Sequence, residues 1–294
     1  MGRVAWRYTS RMRITTWNVN GLRAALRKGF AEHLDRIAPD VLMLQEVRAL
    51  PEQLPAEWQD PDGWHVVWNP AQKKGYAGTA IWSRQPIETH EVGLTKTDQD
   101  PEGRLVTATV RGVSLGCVYL PSGSSGEHRQ VEKEKWMKRF GPWTKKIQKL
   151  EGPTVFGGDL NIAHTERDIF YAKGNAKTSG FLPHEREWFG KVLTTGWRDL
   201  VREDYDALLA DDGEHHADVV GRFGVEGEGI DPAKHGPYSW WSNRGSARHN
   251  NRGWRIDYLL ANEPAAAMFK SAHIDRAAGL ACSDHAPVSV DLAQ

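Results

Sequence analysis

Several short apolar runs in this chain stop abruptly at carboxylate, amide or imidazole side chains. The runs are rich in β-branched and aliphatic residues, which predicts β-strands that end in polar groups. Carboxylate and amide oxygens suit hard divalent cations, and the same groups can bind a phosphate. The pattern therefore constrains the chain to a sheet-rich fold with a polar rim, and it indicates metal-assisted cleavage of a phosphate ester. The polar ends are Asn18 and Asn20, Gln45 and Glu46, Asp159 and Asn161, Asp257, and Ser283, Asp284 and His285.

The periodicity predicts many short strands and a few long helices, without strict alternation of the two. This pattern favours two packed sheets flanked by helices, an α/β fold. We expect one domain over residues 12–294, after an N-terminal tail at residues 1–11. The predicted strands are 12–17, 41–44, 65–68, 79–82, 105–110, 113–119, 153–156, 238–241, 256–260 and 288–292. The predicted helices are 21–37, one that runs from a capping box at Ser124 and Glu127 to about residue 150, and 183–193.

The formal net charge is zero over 294 residues, which by itself argues against a nucleic-acid partner. However, residues 203–231 hold ten acidic side chains and one basic side chain, Arg222. The rest of the chain holds 37 Lys and Arg against 28 Asp and Glu, so it can present a basic face to DNA. The alternative is a mixed surface with a solvated acidic loop that contains His215 and His216.

The number of cysteines and the hydropathy of the chain indicate where in the cell the protein is expected. The two cysteines, Cys117 and Cys282, fit no zinc spacing and favour a reducing, cytoplasmic location. No apolar run has the length of a membrane span, so we expect no membrane partner. Residues 1–13 carry charges but no apolar stretch of the kind found in a secretory signal.

Glu46 follows an apolar run and is a candidate ligand of Mg²⁺, with Mn²⁺ as a substitute. Asp159 and Asn161 lie two residues apart, and a strand would place both side chains on one face. Asp159 can accept a proton from water, and Asn161 can donate to a phosphate oxygen. Asn18 and Asn20 follow the same alternation. Each of these pairs is also compatible with a simple turn.

Asp257 and His285 suggest a carboxylate–imidazole pair in which the carboxylate favours the protonated ring. Asp284 stands beside the histidine, and Tyr119 ends a strand before a Gly/Ser loop, where its hydroxyl could contact phosphate. A structural histidine and a core tyrosine are the alternatives for these residues.

Thirteen tryptophans is a high number for this length, and several lie near arginines. Trp240, Trp241 and Trp254 occur within a segment that also contains Arg244, Arg248, Arg252 and Arg255. Aromatic and basic side chains interleaved in this way suit a nucleic-acid backbone with a stacked or extruded sugar, although core packing is the alternative for any one tryptophan.

Taken together and in order, the motifs resemble the exonuclease III family of AP endonucleases over roughly residues 12–293. The resemblance implies a DNase I-like four-layer α-β-β-α sandwich, a monomeric Mg²⁺ enzyme, and activity on double-stranded DNA at abasic sites and at 3′ ends. The motifs are Trp17-Asn18-Val19-Asn20, Leu44-Gln45-Glu46-Val47, Tyr119-Leu120-Pro121, Gly158-Asp159-Leu160-Asn161, Lys173-Gly174-Asn175, Gly253-Trp254-Arg255-Ile256-Asp257 and Ser283-Asp284-His285.

The resemblance also implies roles. The metal ligands would be Glu46, Asn18, Asn20 and Asp284. The catalytic set would be Tyr119, Asp159, Asn161, Asp257 and His285. Substrate would contact Trp240, Trp254, Ile256, Arg248 and Lys177.

Two positions depart from some family members, namely Asn20, where others carry Asp, and the Gly/Ser loop at residues 121–126. These differences leave the balance among abasic-site cleavage, 3′-phosphatase and exonuclease activities open. Two further functions compete with DNA repair. One is a phosphoesterase that acts on a non-DNA phosphodiester, and the other is a non-catalytic nucleic-acid-binding regulator with the same fold.

Overall fold

Two mixed β-sheets lie face to face at the centre of the molecule. The computed structural model describes residues 11–210 and 216–294. In sequence order, the strands within these residues are β1 Arg11–Asn18, β2 Val41–Gln45, β3 His65–Asn69, β4 Thr79–Ser83, β5 Thr89–Val92, β6 Leu105–Val110, β7 Val113–Tyr119, β8 Thr154–Asp159, β9 Arg198–Asp199, β10 Asp257–Ala261, β11 Phe269–Ile274 and β12 Val288–Ala293.

Helices cover the outer faces of both sheets. The described α-helices are α1 Leu22–Leu26, α2 Phe30–Ile37, α3 Ala56–Gln59, α4 Glu127–Gln148, α5 Pro183–Leu193, α6 Leu200–Ala210, α7 His216–Phe223, α8 Glu263–Ala266 and α9 Arg276–Cys282. Short 3₁₀ turns occur at Pro51–Gln53, Glu166–Asp168 and Lys173–Asn175.

The first sheet has the strand order β11-β12-β1-β2-β4-β3, and the second has the order β5-β6-β7-β8-β10-β9. Each described sheet contains one parallel pair, β1 with β2 in the first and β7 with β8 in the second. The other described strand pairs are antiparallel.

Strand β2 shows why the layers form. Its alternate side chains face opposite sides of the sheet. Val41 and Met43 belong to the core between the two sheets, whereas Leu42 and Leu44 belong to the core beneath α1, α2 and α9. A third core packs α4 and α5 onto the outer face of the second sheet. The structure therefore confirms the predicted α-β-β-α sandwich.

Local predictions fail where the chain bends. The predicted helix at 21–37 is two helices, because Gly29 adopts a left-handed φ of 88° between α1 and α2. Helix α4 begins after Gly126, which provides no side-chain cap, so the capping box predicted at Ser124 is wrong. The strand predicted at 238–241 is wrong, because Trp240 forms isolated bridges to Trp254 and His285 in place of regular strand pairing.

The acidic segment is folded in its described parts. Helices α6 and α7 bury Tyr205, Val219 and Phe223 in the core between the sheets, so the solvated-loop alternative is wrong for these parts. His215 and residues 1–10 lie outside the described residues, and Arg11, predicted to belong to the tail, already forms part of β1. Within 11–210 and 216–294, no helix is both long and apolar enough to cross a membrane.

Candidate active site

Strand register brings four of the predicted polar ends to one edge of the sandwich. In the parallel pairs, Asn18 lies beside Gln45, and Tyr119 lies beside Asp159. Strand β10 runs antiparallel to β8, so it begins with Asp257 opposite Asp159. Because parallel strands end at the same edge, residues distant in sequence meet there.

Gly158 makes this close approach possible. Its φ is 137°, and a Cβ at this position would lie 1.9 Å from the carbonyl oxygen of Val118. Any other residue would push β8 away from β7 and displace Asp159 from the shared edge.

Glu46 and Asp159 are held by shared donors at this edge. Asn18 Nδ2 donates to Glu46 Oε1 and to Asp159 Oδ2, both at 2.9 Å. The hydroxyl of Tyr119 donates to the same Glu46 Oε1 at 2.8 Å. The Asn161 side-chain amide donates to Asp159 Oδ2 at 3.1 Å, and its backbone N–H donates to Oδ1 at 2.8 Å. All of these side chains are buried or half-buried, so their relative positions are fixed.

Three of the site residues have unusual backbone conformations. The φ angles of Asn20, Glu46 and Asn161 are 47°, 50° and 50°. A left-handed conformation is strained for most residues other than glycine, and Asn tolerates it better than Glu does. Such strain costs about 1–3 kcal/mol per residue and is characteristic of functional sites.

His285 lies between two buried carboxylates. Its Nδ1 is 2.9 Å from Asp257 Oδ2, and its Nε2 is 3.8 Å from Asp159 Oδ2. Burial alone lowers the pKa of His285, but the charges of Asp257 and Asp159 more than offset burial and raise that pKa to about 10. The ring is therefore protonated at neutral pH, with Nε2 directed toward Asp159.

The environment also raises the pKa of Asp159, but there the raised pKa favours the neutral form. Burial is the main cause that raises its pKa to about 7, and the neighbouring Asp257 and Glu46 add to this effect. Tyr119 is also buried, and burial with the adjacent carboxylates raises its pKa well above the ordinary value, so its hydroxyl stays protonated.

Glu46, Asp159 and His285 form a potential metal site. Each of them offers one ligand atom, and these atoms lie within 4.8 Å of one another. Glu46 Oε2 is buried and accepts no hydrogen bond, although the guanidinium of Arg48 forms an ion pair with it. A carboxylate oxygen without a hydrogen-bond donor fits a divalent cation. A protonated imidazole has no free lone pair, so His285 fits a donor role better than a ligand role.

Asn20 and Asp284 form a second polar pair beside this centre. Asn20 Nδ2 donates to Asp284 Oδ1 at 2.8 Å, and Trp240 Nε1 donates to Asp284 Oδ2 at 3.2 Å. Burial raises the pKa of Asp284, but the His285 charge and these two donors have the larger combined effect and lower that pKa.

These groups lie in a cleft of about 390 Å³. Trp240, Trp254 and Ile256 line one side of it, as predicted, and the two indoles stand at 87° with their centroids 5.9 Å apart. Asn18 and Asp257 lie beneath the lining rather than in it, because both are fully buried. The structure thus brings together the predicted catalytic, metal and pocket residues.

Two predicted DNA-contact residues lie outside the cleft lining. Arg248 donates to the carbonyl oxygens of Leu280 at 2.7 Å and Ser283 at 2.9 Å, where α9 ends, so it supports the turn that carries Asp284. Lys177 is exposed next to Thr178, which does line the cleft. DNA contact by either residue stays a prediction.

Some residues of the site were missed in the sequence. Ser239 donates to Asp257 Oδ2 at 2.6 Å and so orients the carboxylate that holds His285. Arg48, Tyr76 and Arg129 also line the cleft. Two lysines and a glycine, Lys73-Lys74-Gly75, directly precede Tyr76, and such a basic turn is a sequence signal for a binding loop. No neighbouring residue in the sequence indicates that Ser239 belongs to the site.

A buried carboxylate pair, an imidazole held protonated by a third carboxylate, and a polar cleft at the rim of an α-β-β-α sandwich define a metal-dependent phosphoesterase. The chain belongs to the endonuclease/exonuclease/phosphatase family, whose model matches residues 15–285. This membership confirms the resemblance found in the sequence and makes the chain an enzyme of the phosphodiesterase class.

Relatives cover almost the whole chain. An exodeoxyribonuclease of Bacillus subtilis (strain 168) is 34% identical over 280 residues, which span 95% of this chain and 98% of the relative. The DNA repair nuclease APEX1 of Danio rerio is 32% identical over 285 residues, which span 96% of this chain and 82% of the relative.

A solved structure agrees with the sequence relatives. The 3′ phosphatase NExo from Neisseria, bound to a product DNA hairpin, superposes with a TM-score of 0.79 at 29% identity. The match covers 96% of this chain and 99% of the NExo chain.

Proposed function

We propose that this chain is a Mg²⁺-dependent DNA repair nuclease that hydrolyses phosphodiesters at abasic sites and at the 3′ ends of duplex DNA. One observation carries the proposal. Glu46, Asp159 and His285 meet within 4.8 Å on the floor of a cleft that has two indoles in its wall. The floor suits a phosphate, and the wall suits a deoxyribose that lacks its base.

Glu46 would hold the cation, with Asn18, Asn20 and Asp284 around it, and Mn²⁺ would substitute for Mg²⁺. When bound, the cation supplies a positive charge that offsets the charge developing on the phosphate. Asn18 keeps the carboxylates of Glu46 and Asp159 apart and oriented through its bifurcated amide.

Four side chains would bind the phosphate and move the proton during hydrolysis. His285, fixed through Nδ1, donates from Nε2 to a phosphate oxygen. Asp159, whose pKa is raised to about 7, takes a proton from the attacking water as the water oxygen bonds to phosphorus. The bond from phosphorus to the leaving oxygen breaks, and that oxygen takes up a proton from solvent. Asn161 and Tyr119 complete the donor set with an amide and a hydroxyl. These groups are already fixed in place, so little reorganisation accompanies the reaction.

The substrate surface extends beyond the phosphate. Trp240, Trp254 and Ile256 would enclose the abasic sugar, and Lys177 and Arg248 would contact the DNA backbone. The protein would act as a monomer in the cytoplasm, where abasic DNA is its partner.

The proposal is tested with purified protein and Mg²⁺ on three substrates, namely an abasic-site duplex, a nick with a 3′-phosphate and a recessed 3′ end. We expect cleavage that EDTA abolishes, and we expect Glu46→Ala to lose cleavage far more than DNA binding. Lys270→Ala, at an exposed position in β11 outside the lining of the cleft, is the control for general effects of substitution.

The competing functions give different results in the same assays. A non-catalytic regulator would bind the duplexes and cut none of them. A phosphoesterase for another phosphodiester would leave all three DNA substrates intact and would cleave a simple ester such as bis-p-nitrophenyl phosphate with Mg²⁺.

A further inference from the structure

Helices α4 and α5 share a buried ion pair behind the cleft. Lys133 Nζ lies 2.6 Å from Glu185 Oε1, and both side chains are fully buried. Burial lowers the pKa of Lys133, which shows that its charge is costly where it stands. An ion pair this deep is weak evidence for stability, because desolvation offsets most of the attraction. The contacts that the two side chains make toward the cleft therefore indicate their role better than the ion pair itself does.

Lys133 makes a second contact toward the active site. Its Nζ donates to the backbone carbonyl oxygen of Asn161 at 2.9 Å. Asn161 has a left-handed φ of 50°, and its side-chain amide contacts Asp159. The ammonium group therefore fixes the strained turn that aims the Asn161 amide into the cleft.

Glu185 makes the corresponding contact on the other side. Its Oε2 accepts hydrogen bonds from the backbone N–H groups of Gly180 at 2.7 Å and Leu182 at 3.1 Å. Gly180 lines the cleft, and a Cβ there would lie 3.2 Å from the Trp254 ring. The Gly180 carbonyl accepts from Ala163 N at 2.7 Å, which ties this turn to the Asn161 turn.

Gln130 extends the network by one more residue. Its side-chain amide donates to Glu185 Oε1 at 3.0 Å, and its carbonyl oxygen accepts from Ser179 Oγ at 2.7 Å. Ser179 lines the cleft beside Gly180. Both charges of the buried pair thus connect to backbone that forms the cleft, and neither side chain reaches the cleft itself.

We propose that Lys133 and Glu185 are positioning residues, which together fix the Asn161 turn and the cleft wall at residues 178–182 for hydrolysis. The inference rests on the proposed function and assigns to this pair the geometry of the phosphate-binding amide and of the wall beside Trp254. Small displacements matter here, because an error of about 1 Å in a reacting group can cost roughly 100-fold in rate.

The test compares Lys133→Met with the double variant Lys133→Met/Glu185→Gln. The single variant leaves a buried carboxylate without its cation, so we expect a loss of stability. The second substitution removes that charge and leaves only a neutral amide oxygen, which is a weaker acceptor for the N–H groups of Gly180 and Leu182 than the carboxylate. Lys191→Met is the matched control, since Lys191 pairs with Glu187 on the same helix but both side chains are well exposed.

We expect the double variant to regain stability while its kcat on the preferred DNA substrate stays about 10- to 100-fold low, with KM close to the wild-type value. Recovery of kcat in parallel with stability would overturn the proposal, because the pair would then act only on folding. Lys191→Met should match the wild type in both measurements.

Hydrogen exchange gives an answer that does not depend on activity. The backbone amides of Ala163, Gly180 and Leu182 should exchange faster in the double variant, and those of β11 should not change. Exchange equal to that of the wild type at all three amides would overturn the inference. If the wild-type protein cleaved none of the DNA substrates, only the proposed function would be wrong. The hydrogen-exchange measurement would still show whether Lys133 and Glu185 hold the two turns in place.

Discussion

The Nδ1 atom of His285 lies 2.9 Å from Oδ2 of Asp257, and both side chains are buried. Asp257 also accepts a hydrogen bond from Ser239, so its position does not depend on the histidine. A fixed carboxylate in contact with one ring nitrogen sets the orientation of the ring and keeps the other nitrogen protonated. This relationship determines the pH range over which Nε2 can donate.

Asp257→Asn should reduce kcat about 10²- to 10⁴-fold, the usual contribution of an acid–base group. It should also change the pH profile. The wild-type pKa of His285 is raised to about 10, chiefly by Asp257 among the charges, so the protonated ring is lost only at high pH. Without that charge the pKa falls, and the alkaline limb of the kcat profile should move to lower pH. The profile is measured at saturating Mg²⁺, and an unmoved alkaline limb would exclude His285 as the donor.

Asn18 orients two carboxylates, so its loss should weaken metal binding without removing a charge. We expect Asn18→Ala to lower the affinity for Mn²⁺ about 10- to 100-fold, which is typical of groups that hold metal ligands in place. Calorimetric titration of the DNA-free protein with Mn²⁺ measures this effect. Gln72→Ala, at an exposed position outside the cleft lining, provides the comparison, and equal affinities in the two variants would contradict the role of Asn18.

The sequence predicted Asn18, Glu46 and Asp159 because each one ends or directly follows an apolar strand. Asp257 instead begins β10, and Asp284 and His285 follow helix α9, so the expectation of a strand before these residues is wrong. Val41 to Leu44 and Leu105 to Val110 carry strong strand signals, and strand ends meet at a sheet edge whatever the loops do. Strand β5 gave no such signal, since Thr89–Val92 is exposed along its whole length. Sheet membership there depends on pairing with β6, which is a tertiary property.

The sequence also could not predict which charged residues form ion pairs across long stretches of the chain. Arg255 is buried between Asp168 and Asp199, at 2.6 and 2.7 Å, and it anchors the segment that carries Trp254 and Ile256. Nothing in the local pattern distinguishes Arg255 from an exposed arginine that binds DNA. The order of residues was enough to recognise the motif that contains Arg255. The residues that form ion pairs with Arg255 could be identified only from the folded structure.

Asp291 should make the folded state sensitive to acid. Burial raises its pKa, but hydrogen bonds from Arg13 and the charge of that guanidinium lower the pKa well below the ordinary value. A carboxylate whose pKa is lower in the folded state stabilises the protein above its unfolded pKa of about 3.9, and this stabilisation is lost as the pH falls further.

Asp291→Asn should therefore be less stable than the wild type at pH 7, and the difference should shrink as the pH falls from about 5 toward 2. Urea denaturation at several pH values measures the two free energies of unfolding. Asp206→Asn is the control, because Asp206 forms a partly exposed ion pair with Arg167. Loss of such a pair should change the free energy of unfolding by about 1 kcal/mol or less at neutral pH. A difference for Asp291→Asn that stays constant with pH would show that its pKa is not lowered by folding.

Trp254 should determine how well the enzyme distinguishes an abasic sugar from an intact nucleotide. Its indole stands at 87° to that of Trp240, and both line the cleft beside Ile256. Removal of the indole opens the wall but leaves Glu46, Asp159 and His285 in place. Trp254→Ala should therefore raise KM for an abasic duplex, with a loss in kcat/KM of about 10- to 100-fold, which corresponds to roughly 1.4–2.8 kcal/mol of lost apolar contact with the sugar. Cleavage of a simple phosphodiester, which does not reach the wall, should change little.

The comparison uses Trp68→Ala, because Trp68 packs on Trp82 in the core outside the first sheet and is absent from the cleft lining. If both tryptophan variants lost activity on both substrates equally, stability rather than recognition would explain the effect, and the wall formed by Trp254 would have no part in selecting the sugar.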